Sequence, residues 1–170
     1  MLAAVGSDAY KIVLVLHILC AIVGFGAVFL NGIYGQQAKS RKGPEGLAVA
    51  EANYLVTTIG EYFIYAVFLL GVALVLIGDD AWGFGDTWIW LAMLVYITAL
   101  GVNHGLLMPR VRKMLALQRE LVSMGGPREG VSAPPPQVTE LETVGKQVGI
   151  IGASLNVAIV LLLFLMVFKP

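Results

Sequence analysis

The stretch KIVLVLHILCAIVGFGAVFLNGIYGQQAK, residues 11–39, decides the fold of this chain. Its apolar part, residues 11–33, would reach about 35 Å as an α-helix at 1.5 Å per residue. That length crosses the hydrocarbon core of a bilayer, which is about 30 Å thick. The apolar run is longer than the core of a cleavable signal peptide and follows no basic segment. The stretch therefore predicts a retained membrane span.

The composition of the whole chain agrees with this prediction. Of its 170 residues, 58% are hydrophobic and 13% are charged, and the mean hydropathy is +0.84. These values are typical of a polytopic membrane protein and not of a soluble domain. The formal net charge is zero and no basic stripe is present, which argues against a nucleic-acid partner. The expected partners are the lipid bilayer and either other membrane subunits or a second copy of the chain.

Three further apolar runs predict three further spans, at residues 59–77, 87–108 and 148–168. The second helix is expected to begin before its apolar part, because no helix breaker follows Pro44. Thr139 and Glu142 have the spacing of a capping box, which predicts the start of the last helix. The sequence thus predicts an all-α fold, a polytopic membrane four-helix bundle formed by one domain over residues 1–170.

The distribution of lysine and arginine predicts the orientation of the bundle. The loop after the first span carries Lys39, Arg41 and Lys42, and the long segment 109–146 carries six more basic residues. The loop between the second and third spans carries only acidic charges. By the positive-inside rule both basic loops are cytoplasmic and both termini are outside, which suits a multi-pass protein of the cell inner membrane. Segment 109–146 begins with a helix that continues the third span, and this helix would lie against the inner leaflet or against a partner protein.

Small residues at intervals of four predict close helix contacts. Gly145, Gly149 and Ala153 form one such stripe, and Gly101 and Gly105 form another. Stripes of this kind let helix backbones approach each other closely in lipid. They predict tight packing of the third span on the fourth.

Polar side chains at membrane depth are the candidate functional residues. His17 is predicted to lie about 9 Å below the outer end of its helix, and His104 about 6–8 Å from the inner end of the third span. This difference in depth argues against one haem held by both histidines, because two ligands of one metal must approach to about 4 Å. Met93 is expected at the depth of His17, and histidine with methionine is an axial pair for haem iron.

The inner half of the bundle can collect a second polar set around His104. Glu61, Asn103, Asn31 and Asn156 are predicted at a depth similar to that of His104. A glutamate and a histidine at one depth can form a proton-handling site. The alternative is a structural polar clamp at the inner interface.

Two segments carry a resemblance to a known group of membrane proteins. The run LHILCAIVGFGAVFLNGIYGQQ resembles the first helix of the CopD-like and HemJ-like four-helix proteins, and NHGLLMPRVRKM is similar to the end of their third helix. The overall pattern looks closest to an uncharacterised family of predicted integral membrane proteins in that group. The resemblance implies that His17 binds a b-type haem. It also implies a third-helix lysine near Ala92 and Met93, and the absence of any lysine from that span argues against protoporphyrinogen oxidation.

Three functions of different classes follow from these features. The first is haem b binding with an electron-transfer or haem-handling role, for which the candidate residues are His17, Met93 and His104, with His17 as the metal ligand. The second is an accessory transmembrane subunit of a larger membrane complex, without a cofactor of its own. The third is transport of copper or of a small solute. The sequence has no Met/His-rich tract for gathering copper, and it has no nucleophile–base constellation that indicates a hydrolase.

Overall fold

A computed structural model of the chain describes residues 5–41, 43–78, 83–125 and 135–170. Its helices are α1 (Asp8–Ser40), α2 (Pro44–Leu76), α3 (Thr87–Val102), a π-helical segment (Asn103–Leu107), α4 (Met108–Ser123) and α5 (Pro136–Phe168). The acidic residues Asp79 and Asp80, together with Trp82, lie outside the described residues.

The predicted fold class is confirmed. The described residues form helices and no strand, and four continuous helices are long and apolar enough to cross a membrane: Asp8–Ser40, Pro44–Leu76, Thr87–Ser123 and Pro136–Phe168. Each covers one predicted span, apart from Ile77 at the end of the second, and α2 begins at Pro44 as expected from the absence of a breaker. The side of the membrane that each terminus faces stays a prediction.

The predicted start of the last helix is wrong. The helix begins at Pro136, so Thr139 and Glu142 lie within it and do not form a capping box. Proline is favoured in the first helical turn because its missing N–H would lack a partner there in any case and its φ already suits a helix. The helix therefore starts about one turn before Thr139, where the capping box predicted its start.

The third span and the helix that follows it are continuous through Pro109, at the π-helical segment. Proline lacks an N–H and its ring clashes with the carbonyl four residues earlier, so it normally kinks or ends a helix. Here the backbone widens just before the proline, and the N–H of Met108 donates to the carbonyl of Asn103, five residues back. A π-bulge of this kind absorbs the disruption, and α3 continues into α4.

The closest helix contact joins α1 to α2. A Cβ atom built on Gly60 would lie 2.6 Å from the Cβ of Ala27, and one built on Gly24 would lie 3.0 Å from Ile64. By contrast, Cβ atoms built on Gly101, Gly105 and Gly149 would meet nothing within 4 Å outside their own helix. The predicted packing of the third span on the fourth is present, since α3 contacts α5, but Gly101, Gly105 and Gly149 do not mark where the two helices meet. Spacing alone does not identify the face that a helix turns toward its neighbour.

Two apolar clusters hold the bundle together. The first joins α2, α3 and α5 in the half of the bundle away from the basic loops and contains Val67, Ala92, Tyr96, Leu162 and Leu165. The second lies nearer the basic loops and contains Ala38, Ala50 and Leu115, from α1, α2 and α4. The second cluster shows that α4 packs on the other helices of its own chain.

Two ion pairs add to the docking of α4. Arg119 pairs with Glu51 on α2 at 2.9 Å, and Lys113 pairs with Glu140 on α5 at 2.5 Å. Both pairs are exposed, so each contributes about 0–1 kcal/mol. Apolar burial therefore accounts for most of the docking energy.

Candidate functional site

His17 lies in the contact between α1 and α2. A Cβ atom built on Gly71 would be 3.2 Å from Cε1 of the imidazole and 3.7 Å from Nδ1, so the glycine makes room for the ring. The ring also interacts with the backbone of Val67. Nδ1 is buried and has no hydrogen-bond partner among the described residues. An unpartnered buried nitrogen costs about 1–3 kcal/mol, so a ligand or a water that bonds to it would be stabilised.

Met93, the predicted partner of His17, is half-buried on α3. The buried face of that helix consists of Ile89, Ala92 and Tyr96, and Met93 lies beside it. The main contacts of α3 are with α5, whereas those of α1 are with α2. The pairing of Met93 with His17 stays a prediction.

His104 belongs to a separate polar cluster on α2 and the π-helical segment. Its Nε2 lies 2.7 Å from the hydroxyl oxygen of Tyr65 and 3.3 Å from Oε1 of Glu61. Asn103 donates to the same Glu61 oxygen at 2.9 Å. The side chain of Glu61 is 19% exposed and that of His104 is 48% exposed. Glu61 is therefore the more buried member of the cluster, and His104 is the more exposed one.

The structure places the two histidines at different levels of the bundle. His17 lies against Gly71, whereas His104 bonds to Tyr65, which is six residues earlier on α2. Six residues correspond to about 9 Å along a helix. Each histidine thus has its own environment, as the depth estimates from the sequence suggested.

Two members of the predicted polar set lie elsewhere. Asn31 accepts a hydrogen bond at 2.8 Å from the hydroxyl of Thr57, across the α1–α2 contact. Asn156 on α5 has a buried Oδ1 without a hydrogen-bond partner among the described residues. The predicted set is therefore split, with Asn103 and Glu61 beside His104 and with Asn31 and Asn156 apart from it.

Sequence reasoning missed Tyr65. The available signal was its spacing, because residues four apart lie on one face of a helix and Tyr65 follows Glu61 by four. The ring of Tyr65 also stacks on that of His104, with centroids 6.0 Å apart. Tyr65 and His104 thus form the exposed side of the cluster.

A large cavity, here called the vestibule, lies between the ends of α1, α2, α4 and α5 that carry the basic loops. Its volume is about 1630 Å³, and Lys39, Arg41 and Glu142 are among its lining residues. It is larger than a typical small-molecule pocket, which has about 300–1,000 Å³. No feature of the sequence indicates this cavity, because its wall is assembled from four separate helices.

A second, smaller cavity lies deeper in the bundle and has a volume of about 70 Å³. Its lining includes Glu61 and Asn103, and neither His17 nor His104 contributes to it. The two cavities share five lining residues, namely Val28, Asn31, Thr57, Leu107 and Leu155. The small cavity therefore adjoins the vestibule and has Glu61 in its wall.

The described part of the chain does not offer a cluster of metal ligands. No three histidine, cysteine or carboxylate side chains come together there in a way that would hold a metal ion.

Comparison with known proteins identifies the family. A search of curated proteins and a search of solved structures each found no match. None of the comparisons relates the chain to CopD-like or HemJ-like proteins. Residues 11–170, which include all four membrane-crossing helices apart from the first three residues of α1, match the family described as "Predicted integral membrane protein (DUF2269)". The chain therefore belongs to this family of predicted integral membrane proteins.

Proposed function

We propose that this chain is a haem b-binding membrane protein with an electron-transfer or haem-handling role, and that His17 is the axial ligand. The observation that supports the proposal is the buried Nδ1 of His17, which lacks a hydrogen-bond partner among the described residues. A neutral imidazole can bind iron through one nitrogen while the other bonds to a nearby carbonyl.

The surroundings of His17 suit this role. The backbone of Val67 interacts with the ring and would help to fix its orientation and tautomer. Gly71 leaves the space that the ring occupies. The neighbouring side chains Val15, Leu16 and Ile18 are exposed apolar groups that face lipid and exclude water. A bound haem would supply one-electron redox chemistry.

The cavities limit where a haem can lie. Neither the vestibule nor the small cavity includes His17 in its lining. A haem on His17 would therefore lie outside both cavities, at the edge of the α1–α2 contact, and its binding would have to expose Nδ1 beside Gly71.

An absorbance spectrum tests the proposal directly. The wild-type protein, expressed with ample haem and purified in detergent, is expected to show a Soret band. The band should be lost or shifted in His17→Ala, while the variant still inserts and stays monodisperse. His104→Gln is the matched control, since it removes a histidine that already has protein partners. A colourless wild-type protein would contradict the proposal.

A second candidate function is that of an accessory subunit of a membrane complex. It is favoured by the exposure of two polar side chains of the cluster. Tyr65 and His104 are exposed within the membrane-crossing helices. Polar side chains in membrane segments usually face a protein neighbour or water and not lipid. A neighbouring helix would cover these two side chains.

The second candidate has its own test. In mild detergent the protein should migrate with another membrane protein on native gels. His104→Ala should weaken that association. Ile12→Ala, at an exposed apolar position on α1 near the other end of the bundle, should not. Migration of the wild type as an isolated chain would contradict this candidate and would leave the haem proposal unaffected.

A further inference from the structure

The vestibule contains unpartnered polar groups at several levels. Asn53, Gln118 and Asn156 line it, and each has a buried carboxamide oxygen without a hydrogen-bond partner among the described residues. They come from three different helices, α2, α4 and α5. A buried polar group normally bonds to protein or to ordered water. Rotation of each carboxamide toward the vestibule would bring its oxygen into contact with water there.

A narrow layer separates the vestibule from the small cavity. Thr57 donates to Oδ1 of Asn31 at 2.8 Å in this layer, and Val28, Leu107 and Leu155 complete it. Because these five residues line both cavities, a single layer of side chains separates the water on the two sides. The Asn31–Thr57 pair is the polar part of this layer.

The small cavity leads to a carboxylate. Its volume of about 70 Å³ exceeds the roughly 10–15 Å³ needed to hold one water molecule, so it has room for a few. Glu61 and Tyr96 are the titratable residues among those that line it. Its lining residues from α1 and α5 carry no titratable group. Water in the small cavity would therefore meet Glu61 directly.

Glu61 has a proton acceptor on its other side. His104 from the π-helical segment lies 3.3 Å from Oε1, with Tyr65 of α2 beside it. Asn103 holds the carboxylate in place through a hydrogen bond to the same oxygen. From the basic loops toward His104, the groups thus follow in this order: the vestibule, the layer with Asn31 and Thr57, the small cavity, Glu61 and His104.

We propose that Glu61 is a protonation site supplied with protons by water from the side of the basic loops, which the charge distribution places in the cytoplasm. A water-borne proton adds to the Glu61 carboxylate and gives a carboxylic acid. The acid O–H then passes its proton to Nε2 of His104, which gives an imidazolium and restores the carboxylate. No oxidant or reductant is needed. The proposal does not depend on haem binding, because His17 lines neither cavity.

Cysteine labelling tests whether the vestibule carries water. Cys20 is the single cysteine of the chain, so Cys20→Ala provides a clean background. In that background, Gly152→Cys introduces a thiol into the vestibule wall, where an added Cβ would meet nothing within 4 Å. Ala153→Cys is a second vestibule position if the glycine variant does not fold. Ile150→Cys is the control, since it lies closer to the basic end of α5 but is 72% exposed on the outer surface.

A membrane-impermeant thiol reagent is applied to membrane vesicles of each orientation. Gly152→Cys or Ala153→Cys should react rapidly from the side of the basic loops and not from the opposite side. Ile150→Cys should react much more slowly, although it is nearer the surface along the helix. Equal slow reaction at all three positions would overturn the hydrated vestibule.

Infrared difference spectroscopy then tests the protonation of Glu61. Acidification on the side of the basic loops should produce the C=O absorption of a protonated carboxylic acid, and Glu61→Gln should remove this absorption. Prior blocking of the Gly152→Cys thiol with a bulky reagent should slow its appearance several-fold, whereas blocking of Ile150→Cys should leave the rate unchanged. The absence of a Glu61-dependent absorption, or a rate that blocking does not alter, would overturn the proposal.

Discussion

Gly60 and Ala27 meet across the α1–α2 contact so closely that a Cβ atom on Gly60 would lie 2.6 Å from the Cβ of Ala27. No larger residue fits at position 60 unless the two helices separate. Helix association in membranes depends on such packing, because lipid is as apolar as the side chains it touches. The α1–α2 pair also positions His17, Asn31 and Thr57. The distance between the two helices therefore sets the surroundings of His17 and the length of the Asn31–Thr57 hydrogen bond.

Gly60→Ala should therefore destabilise the bundle. Forcing an extra methyl group into a close contact costs about 1–3 kcal/mol, which unfolding in mixed micelles would measure. The control is Gly26→Ala, where an added Cβ meets nothing within 4 Å. That variant should be neutral or more stable, by up to about 1 kcal/mol, because alanine favours a helix over glycine. Equal effects of the two variants would contradict the packing.

The orientation of the chain is a second prediction. Reporter fusions after Arg112 should be cytoplasmic, and fusions after Asp80, which lies outside the described residues, should be external. The reason is the concentration of basic residues in the loops at one end of the bundle. A cytoplasmic reporter at Asp80 would reverse the topology and with it the side from which Glu61 takes up protons.

A third prediction separates a structural role of His104 from iron binding. His104→Gln should keep the fold and any Soret band, because an amide can still bond to Glu61 and Tyr65. His104→Leu removes both bonds and should lower the free energy of unfolding by about 1–3 kcal/mol. Loss of the Soret band in the glutamine variant, with the protein still folded, would make His104 an iron ligand.

The docking of α4 gives a fourth prediction. Leu115 is 4% exposed in the cluster with Ala38 and Ala50. Leu115→Ala should cost about 2–5 kcal/mol and should increase the rate at which protease cleaves α4. Leu55→Ala, at a position on α2 that is 61% exposed, is the matched control and should change neither quantity much. If α4 instead lay on the lipid surface, the two variants would behave alike.

The fold could be predicted from the sequence because it depends on local properties. A run of about 20 apolar residues crosses a bilayer wherever the rest of the chain lies, and the four predicted spans each lie in one helix. The capping box at Thr139 failed because Pro135 and Pro136 provide an earlier start. The glycine stripes did not identify the helix contacts, because the spacing shows which residues share a helix face but not which neighbour that face contacts.

The sequence by itself determined the class of this protein, the number of its membrane-crossing helices and the residues with functional potential, among them His17, Glu61 and His104. Tertiary structure alone decided which of them meet. It placed Glu61 beside His104 and left Nδ1 of His17 without a partner among the described residues. It also created the vestibule from four helices that are distant in the chain. Hydropathy is a property of each segment, whereas a cavity depends on how the helices are rotated and spaced against one another, which side-chain packing sets.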